Sequence, residues 1–381
     1  RRTQEFERAF AAYLGVRHCV MVSSGSTANL LMAAALRYRS TDPLEPGDEV
    51  VVPAVGWSTT YFPFSQCGFR LRFVDVDAET LNVDPAELEA AITPATRAVC
   101  TVNVLGNPTD FAAVRTVLRT AEGRHGRPIT LLEDNCESLG ATYDGRQCGT
   151  HGLMGTFSFF FSHHMSTMEG GAVCTDDDEL AEILVCLRAH GWTRNLPDES
   201  ILVGRKNPNP FHESFRFVLP GYNVRPLEMS AAVGLRQLEK LPRFIATRRD
   251  NARHLQERLA PVAGTFAIQR EIGSSSWFGF SVLVAPDGGH TRDQVVGVLT
   301  EAEIECRPIV TGNFARQEAL RHMDHTVAGS LAGADRVHDH GFFVGNGERD
   351  LRREIDHLAA TLTELAERSD PSRSMAAGAR P

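Results

Sequence analysis

Lysine is almost missing from this chain: of 39 basic residues only Lys206 and Lys240 are lysines, and the rest are arginine. Chemistry that needs a lysine amine is therefore confined to two positions, each of which can be weighed by its surroundings. The eight cysteines (Cys19, Cys67, Cys100, Cys136, Cys148, Cys174, Cys186 and Cys306) include no CxxC or CxC pair. Zinc and iron–sulfur centres thus lack their usual ligand spacing, and no metal is expected. Several of these cysteines lie in apolar runs, where a reduced core thiol is the default, which favours a cytoplasmic protein. Neither a signal peptide nor an apolar run of bilayer length is read in the chain. The formal net charge is −9. Nucleic-acid binders carry a basic face, so that partner is not expected, and an anionic ligand would need a local basic patch.

What is present suits a large domain joined to a smaller one: 381 residues, 42% hydrophobic and 23% charged. Helix and strand patterns alternate through the first two thirds. "DEVVVPA", "FRLRFVDVD", "TRAVCTVNVLG", "ITLLEDN", "GTFSFFFS" and "GGAVCTD" read as strands. "SGSTANLLMAAALRY", "DPAELEAAI" with Asp84 as its cap, "DFAAVRTVLRTAEG" and "DDELAEILVCLRAHG" read as helices. This order predicts a mostly parallel sheet covered on both faces. A loop rich in Pro, Asn and Gly spans Thr193 to His212, and a helical stretch broken near Pro242 runs from about Pro226 to Leu259. Strand "SSWFGFSVLV", helix "TRDQVVGVLTEA", strand "IECRPIV" and a closing helix then form a small unit. The expected division is a large domain over 1–240, a small α/β domain over 241–370 and a disordered tail over 371–381.

Three segments carry chemistry. In "SSGSTAN", Gly25 permits a tight turn, and Ser26 and Thr27 bring hydroxyls and amides to a helix N-terminus. Such a turn is either a phosphate site or an ordinary cap. In "LLEDNCES", Asp134 ends an apolar strand, at the sheet edge where ligands of open α/β sheets gather. A buried carboxylate there either takes a cationic partner, such as a protonated pyridine nitrogen, or caps the next turn. In "SFFFSHHMSTMEGG", His163 and His164 follow an aromatic strand and precede a glycine pair; successive strand residues point apart, which argues against a shared metal. Trp57 in "VGWSTTY" can stack on a flat ring or fill the core. "RAHGWTRN" gathers Arg188, His190, Trp192 and Arg194, either an anion- and base-stacking surface or a helix end with favourable cations.

Together these segments resemble the nucleotide-sugar aminotransferase family of fold-type I pyridoxal 5′-phosphate (PLP) enzymes. The resemblance runs from "FERAFAAYLGV" to "GFFVGN" and follows the family's motif order: the SGSTA turn, the WSTT loop, EDNCES, the SF…EGG segment and "GYNVRPLEMSAA". It implies an aspartate-aminotransferase-like fold with a mixed, mostly parallel sheet and a small C-terminal α/β domain. It also implies that Gly25, Ser26 and Ser158 hold the cofactor phosphate, that Asp134 pairs with the pyridine nitrogen, that Glu137 lies near the ring hydroxyl and that Trp57 stacks on the ring. Asn223 of a neighbouring subunit would reach the phosphate, making a homodimer the working unit. His190, Arg194 and Arg307 are candidates for the sugar and diphosphate.

Ordinary members carry a lysine where this chain has His163; Lys206 falls in the polar loop and Lys240 in the long helical stretch. With "RAHGWTRNLP", "LPGYNVRPLEMS" and "IECRPIVTGNF", the replacement resembles the family's 3-dehydratase branch. A related branch with histidine at this place holds an iron–sulfur cluster on clustered cysteines, a spacing this chain lacks. The branch implies removal of the C-3 hydroxyl from a nucleotide-linked 4-keto-6-deoxyhexose, of GDP-mannose type, on the way to a 3,6-dideoxyhexose such as colitose. Its cofactor would rest as pyridoxamine 5′-phosphate (PMP), with His163 as the catalytic base, ammonia released and glutamate as amino donor. Transamination with histidine as base, and a non-catalytic PLP-binding protein, are the competing readings. Asp134, Ser158 and the phosphate turn remain where a decayed site would have lost them.

Overall fold

Strand and helix alternate because apolar runs of strand length are punctuated by capping residues. The computed structural model describes residues 1–369, and the tail expected over 371–381 lies outside them. The elements of the first part are α1 (Arg2–Leu14), β1 (His18–Val22), α2 (Gly25–Ala35), β2 (Glu49–Pro53), α3 (Ser58–Gln66), β3 (Arg70–Val74), α4 (Pro85–Ala91), β4 (Thr96–Val102), α5 (Phe111–His125), β5 (Thr130–Asp134), β6 (Met154–Ser158), β7 (Gly171–Thr175) and α6 (Asp178–Arg188). Ser24 and Thr27 form a reciprocal cap at the start of α2, and Asp84, Asp110 and Asp177 cap α4, α5 and α6. Each side chain satisfies an amide that the first turn leaves without a helical partner.

The second part holds α7 (Glu228–Leu238), α8 (Leu241–Leu259), β8 (Phe266–Ile268), β9 (Gly279–Val284), α9 (Arg292–Glu301), β10 (Cys306–Arg307), β11 (His325–Val327), α10 (Ala332–His340), β12 (Gly341–Gly345) and α11 (Arg352–Ser369). The large sheet has eight strands in the order β1-β7-β6-β5-β4-β2-β3-β11. Only β7 runs against its neighbours, so the sheet is mixed and mostly parallel, as the alternation predicted. β8, β9, β12 and β10 form a separate antiparallel sheet. It packs against α8, α9 and α11 around Phe266, Phe280, Leu299 and Leu362.

Three elements differ from the sequence expectation. The strand read through Ser162 ends at Ser158, because Phe159 turns into a loop closed by bonds from its amide to Gly170 O and from Thr167 N to its own carbonyl. In "IECRPIV" only Cys306 and Arg307 pair with β12. The short β11, with its weakly apolar sequence, returns to the edge of the large sheet beside β3.

The carboxyl ends of β1, β2, β4, β5 and β6 share one edge of the large sheet, the place where polar loop residues can converge. α1 backs this region. Its Phe10 is fully buried, with ring centroids 5.3 Å from Phe157 and 5.2 Å from Phe159. This aromatic cluster anchors the chain where β6 gives way to the histidine loop. Phe10→Ala should cost about 3–5 kcal/mol of stability, measured by urea unfolding followed by circular dichroism.

Candidate active site

The floor of the site is the turn between β1 and α2. Thr27 N bonds Ser24 Oγ and Ala28 N bonds Ser24 O, which leaves the Gly25 and Ser26 amides at the open end of the helix. The turn lies directly on the sheet. A Cβ on Gly171 would come 2.3 Å from Ser24 O, and one on Gly25 would come 2.5 Å from Ser158 Cβ and 2.9 Å from Ser158 Oγ. Only glycine at both positions permits this approach. Gly25, Ser26 and Ser158 are thereby brought together at a helix N-terminus, an arrangement suited to a phosphate. Ser26 Oγ also donates to Thr59 Oγ1 at 3.1 Å, tying the turn to the loop that carries Trp57, whose ring is 55% exposed.

Asp134 ends β5, buried, and three donors fix its carboxylate. Asn29 Nδ2 (2.8 Å) and Thr60 Oγ1 (2.7 Å) donate to Oδ2, and the Cys136 amide donates to Oδ1 at 3.1 Å. Thr156 Oγ1 in turn donates to Asn29 Oδ1 at 2.6 Å, fixing the amide's orientation. Among the described residues no Arg, Lys or His forms an ion pair with Asp134. A buried carboxylate so oriented, with no cation from the chain, fits a cationic ring nitrogen. Asn29 and Thr60 were legible as letters of "SGSTAN" and "WSTT", but nothing in the sequence pointed either of them at Asp134.

Glu137, half-buried on the following turn, accepts the Leu105 amide at 2.9 Å. Burial raises its carboxyl to about 7, with the Leu105 amide opposing and the Asp134 charge adding to the rise. The residue that holds it, Leu105, also accepts Phe278 N at 3.0 Å. Phe278 carries the site on to His163: the two rings meet edge to face, centroids 5.2 Å apart. His163 Nδ1 is buried without a protein hydrogen-bond partner. Burial, aided by the Arg248 charge, lowers His163 to about 4, so the imidazole is neutral at ordinary pH. His164 points elsewhere, buried, with Nε2 3.1 Å from Ser276 O.

Arg307 borders a cleft of about 200 Å³ with Ser162, Phe278, Glu305 and Asn346. Ser162, the residue before His163, shares this cleft, and the Arg307 guanidinium is held by Glu305 Oε1 at 2.6 and 2.9 Å. His190 and Arg194 belong to a different cluster. Arg194 lies 4.1 Å over the Trp192 ring, and the His190 ring meets Trp192 at 5.2 Å. No described hydrogen bond joins either residue to His163 or Asp134. Their link to the turn between β1 and α2 is the segment around exposed Asn223, where His190 N bonds Tyr222 O at 2.6 Å and Ser23 N bonds Val224 O at 3.0 Å. Neither lysine enters the site: Lys206 reaches Arg194 O and Asp198, and exposed Lys240 precedes α8.

Residues 1–362 match the DegT/DnrJ/EryC1/StrS aminotransferase family. A GDP-4-keto-6-deoxy-D-mannose 3-dehydratase of Yersinia pseudotuberculosis is 54% identical over 356 residues, 93% of this chain and 89% of the relative. A crystal structure of GDP-4-keto-6-deoxymannose-3-dehydratase with a trapped PLP-glutamate geminal diamine superposes with a TM-score of 0.92 at 51% identity, covering 95% of this chain and 92% of that one. Another structure of that enzyme, a histidine-to-asparagine variant with bound GDP-perosamine, gives a TM-score of 0.91 at 51% identity, with 95% and 92% covered.

The Gly25–Ser158 approach yields a direct test. A methyl group added at position 25 must displace Ser158 at a cost of about 1–3 kcal/mol. Gly25→Ala should therefore weaken pyridoxal phosphate binding about tenfold or more while leaving the far-ultraviolet circular dichroism unchanged, as measured by absorbance titration.

Proposed function

The chain belongs to the DegT/DnrJ/EryC1/StrS aminotransferase family, and we propose that within it this protein is a PMP/PLP-dependent 3-dehydratase of GDP-4-keto-6-deoxy-D-mannose. The observation that carries the reading is His163: a neutral, half-buried imidazole stands where the family's aminotransferases keep a lysine, in a site whose other parts remain. Gly25, Ser26 and Ser158 would hold the cofactor phosphate, Asp134 the pyridine nitrogen, Glu137 the ring hydroxyl, and Trp57 one face of the ring. When bound, the pyridoxamine form supplies an amine for the C-4 ketone and a ring that accepts electrons as the C-3 oxygen departs.

An amine at position 163 could both move protons and capture the cofactor covalently; imidazole can do only the first. Neutral His163 takes one proton beside the ring. The same proton then passes to the departing C-3 hydroxyl, which leaves as water. An imidazole held near 4 is a weaker base than a free histidine, and its protonated form is a correspondingly stronger acid. Both transfers therefore require the proton's two positions to lie close to one ring. Over one cycle the sugar loses an oxygen, the amine nitrogen leaves as ammonia, and glutamate restores the amine by becoming 2-oxoglutarate. His190, Arg194 and Arg307 are assigned to the nucleotide sugar.

The homodimer is part of the same proposal. Phe161, Met168, Leu227 and Met229 are between 65% and 75% exposed, large apolar side chains that a subunit contact would cover. Phe161 and Met168 flank the histidine loop, and Leu227 and Met229 follow Asn223, the residue assigned to the neighbouring subunit's phosphate. A cytoplasmic site of action accords with eight unpaired cysteines.

Purified protein given GDP-4-keto-6-deoxy-D-mannose, PLP and glutamate should yield a product lighter by one oxygen, with ammonia and 2-oxoglutarate each formed one-to-one. A stable amino sugar without ammonia would make it a transaminase. His163→Lys should abolish dehydration and let the protein hold PLP through a borohydride-reducible bond, detected by mass spectrometry. Retention of full dehydratase activity in that variant would remove His163 from the role of base.

A further inference from the structure

Behind the histidine loop lies a buried cation that the assignments above do not use. Arg248, on α8, is 3% exposed. Its Nη1 donates to three backbone carbonyls: Asn346 at 2.8 Å, Phe278 at 3.1 Å and Trp277 at 3.5 Å. Asn346 Nδ2 returns the contact, donating to Arg248 O at 3.1 Å and Trp277 O at 2.9 Å. No described carboxylate forms an ion pair with Arg248, and its Nε is buried without a partner. Burial pulls the guanidinium down to about 10, so it is charged at neutral pH, with Glu348 acting in the opposite sense. An arginine kept in the interior on carbonyls alone is costly as a structural pin, since a neutral donor could make the same bonds without the desolvation.

Its position gives it a second effect. The segment that it clamps carries Phe278, whose ring is 5.2 Å from His163 and 5.7 Å from His164, and Ser276, whose carbonyl bonds His164. We propose that Arg248 is a positioning residue for His163: it fixes Phe278 against the imidazole, and its unneutralised charge opposes a second positive charge on that ring. Its neighbour His164 is buried and likewise held well below the ordinary histidine range, and the paired Glu305 and Arg307 border the cleft beside Ser162. Among the described residues no carboxylate forms an ion pair or hydrogen bond with His163, so the imidazolium gains no counter-charge. His163 therefore stays an open base, and once charged it gives its proton up readily to the departing hydroxyl.

The inference rests on His163 being the base of the proposed dehydration, but it can be read on the imidazole itself without turnover. In ¹⁵N-histidine spectra of the cofactor-free protein, with His163→Asn for assignment, the wild-type His163 midpoint should lie near 4. Arg248→Gln keeps a donor for the carbonyls and removes the charge; it should raise that midpoint by about one unit. The acid limb of the kcat–pH profile should move up by the same amount. Arg248→Lys, which keeps the charge, should hold the midpoint near the wild-type value. A wild-type midpoint at 6.5, or equal movement with Gln and Lys, would overturn the proposal, as would a Gln variant that loses activity evenly at every pH with its midpoint unmoved. If Arg248→Gln does not fold, the wild-type and Lys midpoints decide by the same criteria. A dehydration that survives His163→Asn would defeat the functional reading while leaving the titration result intact.

Discussion

The closeness of the turn between β1 and α2 to the sheet beneath it is the constraint on which the site depends. Ser24 sits over Gly171 and Gly25 sits against Ser158, at separations that no side chain could enter. That contact sets the N-terminus of α2 at the carboxyl edge of β6. It also brings Asn29, one turn further along α2, to Asp134 at the end of β5. Thr60 reaches the same carboxylate from α3. One close backbone approach thus orients the open helix end, the buried acid and the loop bearing Trp57 toward a common space.

The opposite wall is built from the junction of the two sheets. Glu137, Leu105 and Phe278 form a relay of packed or hydrogen-bonded groups from the acid side to His163. Several buried polar atoms here have no protein partner, among them Nδ1 of His163, Nδ1 of His164 and Ser276 Oγ. Interiors normally satisfy such atoms, so their gathering at one place marks a region shaped for something other than stability. Burial is the dominant influence on the ionisation of both Glu137 and His163, and it acts oppositely on the two: the acid is raised to about 7 and the base lowered to about 4. Each is moved toward its neutral form, as low dielectric requires.

Much of the chemistry was legible in the residues. The strand-ending acid, the Ser-Gly turn, the histidine pair before two glycines and the shortage of lysine are local patterns with local physical meanings. The elements that escaped notice were those whose role is made by distant partners. β11 is too short and too weakly apolar to announce itself, and it exists because β3 offers an open edge. Arg248 reads as one more basic letter in a helix rich in arginine; its burial follows from the carbonyls of Trp277, Phe278 and Asn346, 29 to 98 residues away in sequence. The histidines were read as directly following a strand through Ser162, whereas the strand ends at Ser158 and they stand in a loop whose backbone closes from Phe159 to Gly170.

The sequence by itself determined the alternation of elements, the residue types at the sheet edge and the absence of an amine at position 163, because these depend on near neighbours and on composition. Only the tertiary structure decided which donors hold Asp134, that Phe278 meets both histidines while Ser276 O bonds only His164, and that Arg307 and Ser162 border one cleft while His190 and Arg194 gather around Trp192. Those outcomes are set by packing and charge between segments far apart in the chain, where spacing along the sequence carries no information about distance in space.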